Sequence, residues 1–265
     1  QGCSWFSTYR IHHRCAKNFR VGRSFLLGDA AHIHSPVGAQ GMNTGLQDAY
    51  NLGWKLALVV TRRAGEALLE TYEAERLPVA QRLLSSTDRG FSFIVSDSRL
   101  VGLARAHVLP KLLALAMKAK AVRTLAFRSI SQISIRYPDS PLSKMAAQPP
   151  SNAPRAGDRF PWLRLELSPG GGPTDLFDRL DDTHFHLVLV GQAAPPGGVG
   201  RLGDLLRVLA VPASPANDAE LSRAKIPGTA FYVLRPDGYI GLCGDRWDAN
   251  AVGHYVSESL RFVAA

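Results

Sequence analysis

The stretch Phe25–Val60, FLLGDAAHIHSPVGAQGMNTGLQDAYNLGWKLALVV, decides the fold prediction for the first part of the chain. A short apolar run ends in Gly28-Asp29, and a loop rich in glycine and proline follows. From about Gly45, apolar residues recur at steps of three and four, as on one face of an α-helix. Thr44 and Gln47 fit a capping box, which predicts that the helix begins at Thr44. The stretch therefore predicts a strand, a tight turn and a helix.

The turn after the strand has the composition of a ligand site. Gly28 has no Cβ and can turn the backbone sharply. Asp29 would lie at the carboxyl end of a strand, where open α/β folds bind ligands. Its carboxylate can accept hydrogen bonds from a ligand rich in hydroxyl groups. The exposed N–H groups at the start of the helix favour a ligand atom with negative charge. The alternative is a tight turn with only a local Asx contact.

The loop between turn and helix suits a planar ligand. Pro36 stiffens it, while Gly38, Gly41 and Gly45 let it lie flat against a ring. A polyhydroxyl chain joined to a flat, electron-accepting ring would satisfy the whole stretch, and that description fits a flavin.

From Gly22 to Ala57 the sequence resembles the second flavin motif of the FAD-dependent aromatic hydroxylases, the phenol-hydroxylase-like group. The resemblance implies that Asp29 binds the ribityl hydroxyls and that Pro36 lies beside the isoalloxazine edge. It also implies that backbone amides around Met42 face flavin O2 and N1. The cofactor-binding residues expected from it are Gly28, Asp29, Pro36, Gly38, Gln40, Gly41, Met42 and Asn43. No catalytic side chain and no metal ligand is expected.

The resemblance continues towards the C-terminus, through Arg136–Ser143 and Ala153–Pro161. It implies an α/β chain: the C-terminal part of a FAD-binding monooxygenase domain over residues 1–136, mostly helical, then a linker over 137–153. A thioredoxin-like domain over 154–265 follows. Cys243 is a lone cysteine, so dithiol chemistry is not expected there.

The activity implied by the resemblance is hydroxylation of a phenol-like or polyketide aromatic ring. NAD(P)H would reduce FAD, and dioxygen would react through a flavin C4a-hydroperoxide. The family opens with a Rossmann unit that binds the ADP half of FAD, and nothing in this sequence matches one. We therefore expect an enzyme as the full-length parent and an inactive fragment if the chain begins at Gln1.

Other segments show simpler patterns. Strand composition covers Ser4–Ile11, and helical periodicity covers Gly65–Ser86 and Arg99–Ile133, with a break expected at Pro110. His184–Gly191 reads as a strand. Ala230–Leu234 and Tyr239–Leu242 flank an Asp-Gly turn and predict a hairpin. A closing helix is predicted over Ala249–Val263.

Composition narrows the class of protein. The 265 residues are 46% hydrophobic and 20% charged, with a formal net charge of +9, which is typical of a globular protein with a core. Three cysteines without CxxC spacing favour a reducing compartment, so we expect a cytoplasmic protein. The expected partner is an aromatic small molecule, with a homodimer left open and neither nucleic acid nor membrane expected.

Two alternatives compete with these expectations. Residues 99–136 carry eight Lys and Arg and no Asp or Glu, so their helices could bind a membrane surface or a polyanion as a non-catalytic module. We favour the simpler interpretation, in which their apolar side packs on the core. His32 and His34 could suggest a metal site, but no set of four ligands completes one. Histidines beside a flavin are the preferred interpretation.

Overall fold

The structure is a computed structural model that describes residues 5–8, 12–33, 40–94, 96, 98–168, 171–194 and 200–263. The chain divides into two compact units. The first comprises Gln1–Ala49 and Arg76–Ile133, and the second comprises Tyr50–Glu75 and Ser134–Ala265.

The first unit begins with four short strands. Strands β1 (Arg14–Cys15) and β4 (His32–Ile33) pair antiparallel, as do β2 (Arg20–Val21) and β3 (Ser24–Phe25). The strand predicted over Ser4–Ile11 is absent at residues 5–8, and the rest of that range lies outside the described residues.

Two long helices follow. Helix α1 spans Gly41–Val60, and α2 spans Glu70–Ile94 after a short 3-10 turn. The predicted helix start at Thr44 is wrong, because the Thr44 hydroxyl donates to the carbonyl oxygen of Gln40 at 2.8 Å inside an established turn. A capping threonine would instead accept a hydrogen bond from a following amide.

Three short helices complete the first unit: α3 (Arg99–Leu103), α4 (Leu109–Ala116) and α5 (Lys120–Ile130), with a π-helical turn between α3 and α4. The break lies at residues 117–119 rather than at Pro110, which occupies the first turn of α4, where a missing N–H costs nothing. Of the described helices, none is long and apolar enough by itself to cross a membrane. Among them, one pair of segments, Arg99–Ala116 and Lys120–Ile130, has sufficient length and apolar composition when taken together, but the pair is bent by 105°.

The second unit contains a five-stranded sheet with the order β5-β11-β10-β8-β9. Its strands are β5 (Lys144–Met145), β8 (Phe185–Val190), β9 (Leu206–Val211), β10 (Ala230–Leu234) and β11 (Ile240–Gly244). Strands β6 (Arg164–Leu165) and β7 (Thr174–Asp175) form a separate antiparallel pair.

Strands β8 and β9 are parallel, and β10 runs antiparallel to both β8 and β11. Helix α6 (Pro215–Arg223) connects β9 to β10, and α7 (Ala249–His254) follows β11. The assignment of residues 154–265 as a thioredoxin-like domain stays a prediction. The predicted α/β fold class, the strand at β8 and the β10–β11 hairpin are confirmed.

The sheet of the second unit is covered on both faces. On β8, Leu187 and Leu189 face one apolar cluster while Val188 and Val190 face another, as the two-residue period of a strand requires. Trp54 of α1 and the fully buried Leu142 belong to the first cluster. Residues 137–153, predicted as a linker, thus lie within the second unit and supply both a core residue and strand β5.

Candidate functional site

The predicted Gly28-Asp29 turn lies directly after β3, in a 3-10 turn over Gly28–Ala30. Gly28 has φ +57, in the left-handed region that favours glycine. Asp29 is exposed, so its carboxylate is available to a ligand. Pro36 and Gly38 lie outside the described residues.

The start of α1 presents open backbone donors. The amide of Thr44 donates to Gln40 O at 3.0 Å, and this hydrogen bond closes the first turn of the helix. The amides of Gly41, Met42 and Asn43 precede it and have no acceptor within the helix. They carry the partial positive charge of the helix N-terminus. This donor set fits an electron-rich ring edge.

The side chain of Gln40 is used within the protein. Its Nε2 donates to Ser129 O at 3.2 Å. Nearby, the Gln132 Nε2 donates to the Thr44 hydroxyl at 2.7 Å. These bonds fix the first turn of α1 from the end of α5, and binding of a cofactor by Gln40 stays a prediction.

Gly45 lies close to the turn. A Cβ placed on Gly45 would lie 3.2 Å from the Cα of Gly28, closer than nine in ten real Cβ contacts. Gly45 therefore allows α1 to approach the turn, and its expected place against a planar ligand stays a prediction. The same contact fixes the distance between the Asp29 turn and the helix N-terminus.

Asp48 is the buried carboxylate of this region, and the sequence reasoning missed it. Its Oδ2 accepts from the Gly28 amide at 3.0 Å and from His32 Nε2 at 2.7 Å, and its Oδ1 accepts from Arg76 Nε at 2.5 Å. Burial by itself would raise the pKa of Asp48, but the His32 and Arg76 contacts hold it below its ordinary value. One signal was available: a charged residue on the apolar side of α1, four residues after Thr44.

His32 is 2% exposed and stacks on Phe19, with ring centroids 6.0 Å apart. Its Nε2 bonds to Asp48, so His32 belongs to this buried cluster. Its Nδ1 is buried and has no hydrogen-bond partner among the described residues. No group of three or more metal-ligating side chains occurs among the described residues, and His34 lies outside them.

A second buried charge cluster lies in the second unit. Glu75 accepts from Lys55 Nζ at 2.8 Å and from Arg235 Nη1 at 2.6 Å, and Arg235 also contacts Asp237. The Trp54 indole donates to Asp237 at 3.1 Å. Burial lowers the pKa of Lys55 to about 8, although Glu75 opposes the shift. Because every charge here has a partner within the protein, the cluster is structural.

The described part of the second unit also has a surface pocket beside α6. Its charged side chains are already paired: Arg223 bonds to Glu220 and to the Trp162 carbonyl, and Arg164 bonds to the Pro173 carbonyl. The pocket therefore offers few groups to a ligand, and the turn at Gly28 with the start of α1 remains the candidate site.

Comparison with known proteins agrees with the sequence resemblance. Residues 2–87 match the protein family described as an FAD binding domain. The chain is 34% identical over 256 residues to 6-methylpretetramide 4-monooxygenase of Streptomyces rimosus, covering 92% of this chain and 45% of that protein. It is 36% identical over 208 residues to pentachlorophenol 4-monooxygenase of Sphingobium chlorophenolicum, covering 77% and 35%.

A solved structure, the anhydrotetracycline hydroxylase from Streptomyces rimosus, superposes with a TM-score of 0.70 and 30% identity. The match covers 95% of this chain and 47% of that one. The chain thus spans less than half the length of these relatives.

Proposed function

We propose that Gly28–Asn43 holds the ribityl chain and ring edge of FAD. The reason is that the chain belongs to the family of FAD-dependent aromatic monooxygenases. The observation that carries this proposal is that one stretch contains both an exposed Asp29 carboxylate and, at the start of α1, amides that have no acceptor within the helix. A ligand that has hydroxyl groups at one end and an electron-rich ring edge at the other matches both sets of groups.

Each residue has a distinct role in this proposal. Asp29 accepts hydrogen bonds from ribityl hydroxyls. The amides of Gly41, Met42 and Asn43 donate to the ring edge and stabilise negative charge there. For Pro36 and Gly38, which lie outside the described residues, contact with the ring is implied by the resemblance and stays a prediction. Gly28 shapes the turn through its backbone conformation, and Gln40 fixes the start of α1 through the hydrogen bond of its side chain to Ser129 O.

FAD, when bound, supplies the redox chemistry that couples NAD(P)H oxidation to insertion of one oxygen atom of O2 into an aromatic ring. The protein contributes binding, orientation and the exclusion of water. We propose no side-chain nucleophile or acid–base pair in this chain.

The substrate class follows from the relatives. The names of these relatives give 6-methylpretetramide, pentachlorophenol and anhydrotetracycline as the compounds that they oxidise. We propose a phenol-like or polyketide aromatic ring for the complete enzyme, which we place in the cytoplasm. Because this chain spans less than half of those relatives, we propose that it is inactive alone.

The helices α3–α5 bear on the competing hypothesis of a membrane-binding module. Contrary to the favoured interpretation, their apolar residues are exposed: Leu100 is 79%, Leu112 57% and Leu125 71% exposed. The comparisons give the module no support, since the matches that include these helices are to monooxygenases. We propose that further protein covers this face in the complete enzyme.

The test is purification of the chain with and without a co-expressed polypeptide that carries the part of the Streptomyces rimosus relative outside the match. We expect a colourless chain alone and flavin absorbance in the co-purified pair. A chain that retains stoichiometric flavin by itself would overturn the proposed division of the site. Absence of flavin from a stable pair would contradict the flavin assignment, and binding of the lone chain to anionic vesicles would revive the membrane hypothesis.

A further inference from the structure

The three donors of the Asp48 carboxylate come from three separate segments. The Gly28 amide lies in the turn after β3, His32 lies in β4, and Arg76 lies in α2. Asp48 itself lies on α1 and is fully buried. One carboxylate therefore fixes the turn, a strand and two helices relative to one another within the first unit.

We propose that Asp48 is a positioning residue for the cofactor: it holds the Gly28 amide so that the next residue, Asp29, presents its carboxylate to the ribityl hydroxyls. The inference rests on the proposed flavin site, and Asp48 itself touches no ligand in it.

The two oxygens of the Asp48 carboxylate bind different groups, which supports this role. Oδ1 accepts from Arg76, which also donates from Nη2 to the carbonyl oxygen of Thr44 at 3.1 Å. Pairing between the two helices needs no more than this. Oδ2 is left to bind Gly28 and His32, so half of the carboxylate serves the turn.

The turn requires an anchor of this kind. Gly28 has a positive φ, a conformation that glycine adopts readily but leaves just as readily. A charge-assisted hydrogen bond to its amide restricts that freedom. The close approach of Gly45 to the Gly28 Cα supports the turn from the other side. Together, these contacts fix the peptide that precedes Asp29.

His32 completes the anchor. Because ionised Asp48 can only accept, the Nε2 of His32 must carry the proton of their hydrogen bond. In the neutral ring this leaves the buried, unpartnered Nδ1 as a lone pair. Asp48 thus selects the imidazole tautomer as well as the orientation of the turn.

The direct test uses the unmodified chain. A scalar coupling across the hydrogen bond, between the Gly28 amide nitrogen and the Asp48 carboxyl carbon, is expected in long-range triple-resonance NMR spectra. His32 should show a proton on Nε2, in the hydrogen bond to Asp48. A Gly28 amide that lacks the coupling and exchanges at solvent rates would overturn the anchor, whether or not flavin binds.

A variant then tests positioning. Asp48→Asn should lower hydrogen-exchange protection of the Gly28 amide by about tenfold or more. The matched control, Asp237→Asn, removes another buried carboxylate that contacts an arginine, and should leave Gly28 protection unchanged. If Asp48→Asn fails to fold, Arg76→Lys replaces it as the test variant. Arg76→Lys keeps both hydrogen bonds to Asp48 Oδ2, so the Gly28 coupling should be retained. Loss of the Gly28 coupling in Arg76→Lys would contradict the assignment of Oδ2 to the turn.

Titration of the co-purified pair with FAD, followed by the amide shifts of residues 28, 29 and 41–43, links the anchor to the cofactor. We expect shifts at these amides, with an affinity about tenfold weaker in the pair that carries Asp48→Asn than in the pair that carries Asp237→Asn. Equal affinities would overturn the positioning role. Absence of shifts in the pair with the unmodified chain, with the Gly28 coupling present, would contradict the proposed flavin site and with it the positioning role, and leave only a structural anchor.

Discussion

Glu75 and Arg235 form a fully buried ion pair across 160 residues of sequence, with Oε1···Nη1 and Oε2···Nη2 distances of 2.6 and 3.1 Å. Arg235 also lies over the rings of Trp54, Tyr137 and Tyr239, with its guanidinium carbon 5.4–5.6 Å from each centroid. The pair therefore connects α2 to the end of β10 in the interior of the second unit, where solvent does not screen it.

Removing the Glu75 charge should be strongly destabilising. Glu75→Gln leaves Lys55 and Arg235 buried with Asp237 as their remaining carboxylate. We expect the free energy of unfolding to fall by about 3–5 kcal/mol, which corresponds to a Tm lower by roughly 10 °C. Thermal unfolding followed by circular dichroism measures this change.

The matched control is Asp204→Asn, which removes the exposed carboxylate paired with Arg63. Because water screens that pair, the Tm should hardly change. If both variants lowered the Tm equally, burial would not be the reason for the effect of Glu75.

Two glycines of α1 should respond oppositely to alanine. Gly45→Ala places a Cβ 3.2 Å from the Gly28 Cα, whereas a Cβ on Gly53 meets nothing within 4 Å. We expect Gly45→Ala to destabilise by about 1–3 kcal/mol through overpacking, and Gly53→Ala to stabilise by about 0.5–1 kcal/mol through helix propensity. Urea unfolding distinguishes them, and a stabilised Gly45→Ala would show that the turn can move away freely.

Stability should decline in mild acid through His186. Burial lowers the pKa of His186; Asp181 opposes the shift, and His184 and Arg207 add to it. The unfolded imidazole takes up a proton near pH 6.5, whereas the folded one stays neutral. The free energy of unfolding therefore falls as the pH drops below about 6.5, by up to about 1.4 kcal/mol per pH unit.

His186→Gln should flatten this slope between about pH 7 and pH 5, because it removes the titrating group. His254→Gln changes a histidine whose side chain is 75% exposed and should leave the slope as it is. Parallel slopes in the unmodified chain and His186→Gln would assign the acid sensitivity to another group.

Flavin retention tests Asp29. In the proposed complete enzyme, Asp29→Ala removes the proposed acceptor of ribityl hydrogen bonds and should weaken FAD binding by about tenfold or more. Asp139→Ala, at an exposed position of the second unit, provides the control and should retain FAD. Equal flavin content in the two purified variants would count against the role of Asp29.

The parts that were predictable from sequence are those with local signals. The apolar run at β8, the Asp-Gly turn of the β10–β11 hairpin and the periodicity of α1 each depend on neighbouring residues, and all three elements formed. The Gly28-Asp29 turn was located in the same way, but the predicted helix start at Thr44 was wrong, because α1 begins at Gly41. Flavin binding by these residues stays a prediction.

The missed features depend on long-range contacts. Nothing near Glu75 in the sequence indicates Arg235, and nothing near Asp48 indicates the Gly28 amide. The exposed face of α5 was misjudged for a related reason. Helical periodicity shows that a face is apolar, but what covers it depends on the surrounding structure, and Phe127 is 65% exposed.

The short strand β5 has a practical consequence for dissecting the chain. It pairs parallel with β11 through Lys144 and Met145, upstream of the point where a thioredoxin-like domain would be expected to start. A polypeptide trimmed to begin at residue 154 would lose β5 and leave the β5-facing edge of β11 unpaired at Leu242 and Cys243, while β10 still pairs with the other edge. Open edges of this kind recruit strands from other molecules, so the trimmed polypeptide should self-associate, whereas one beginning before Tyr137 should keep that edge sealed.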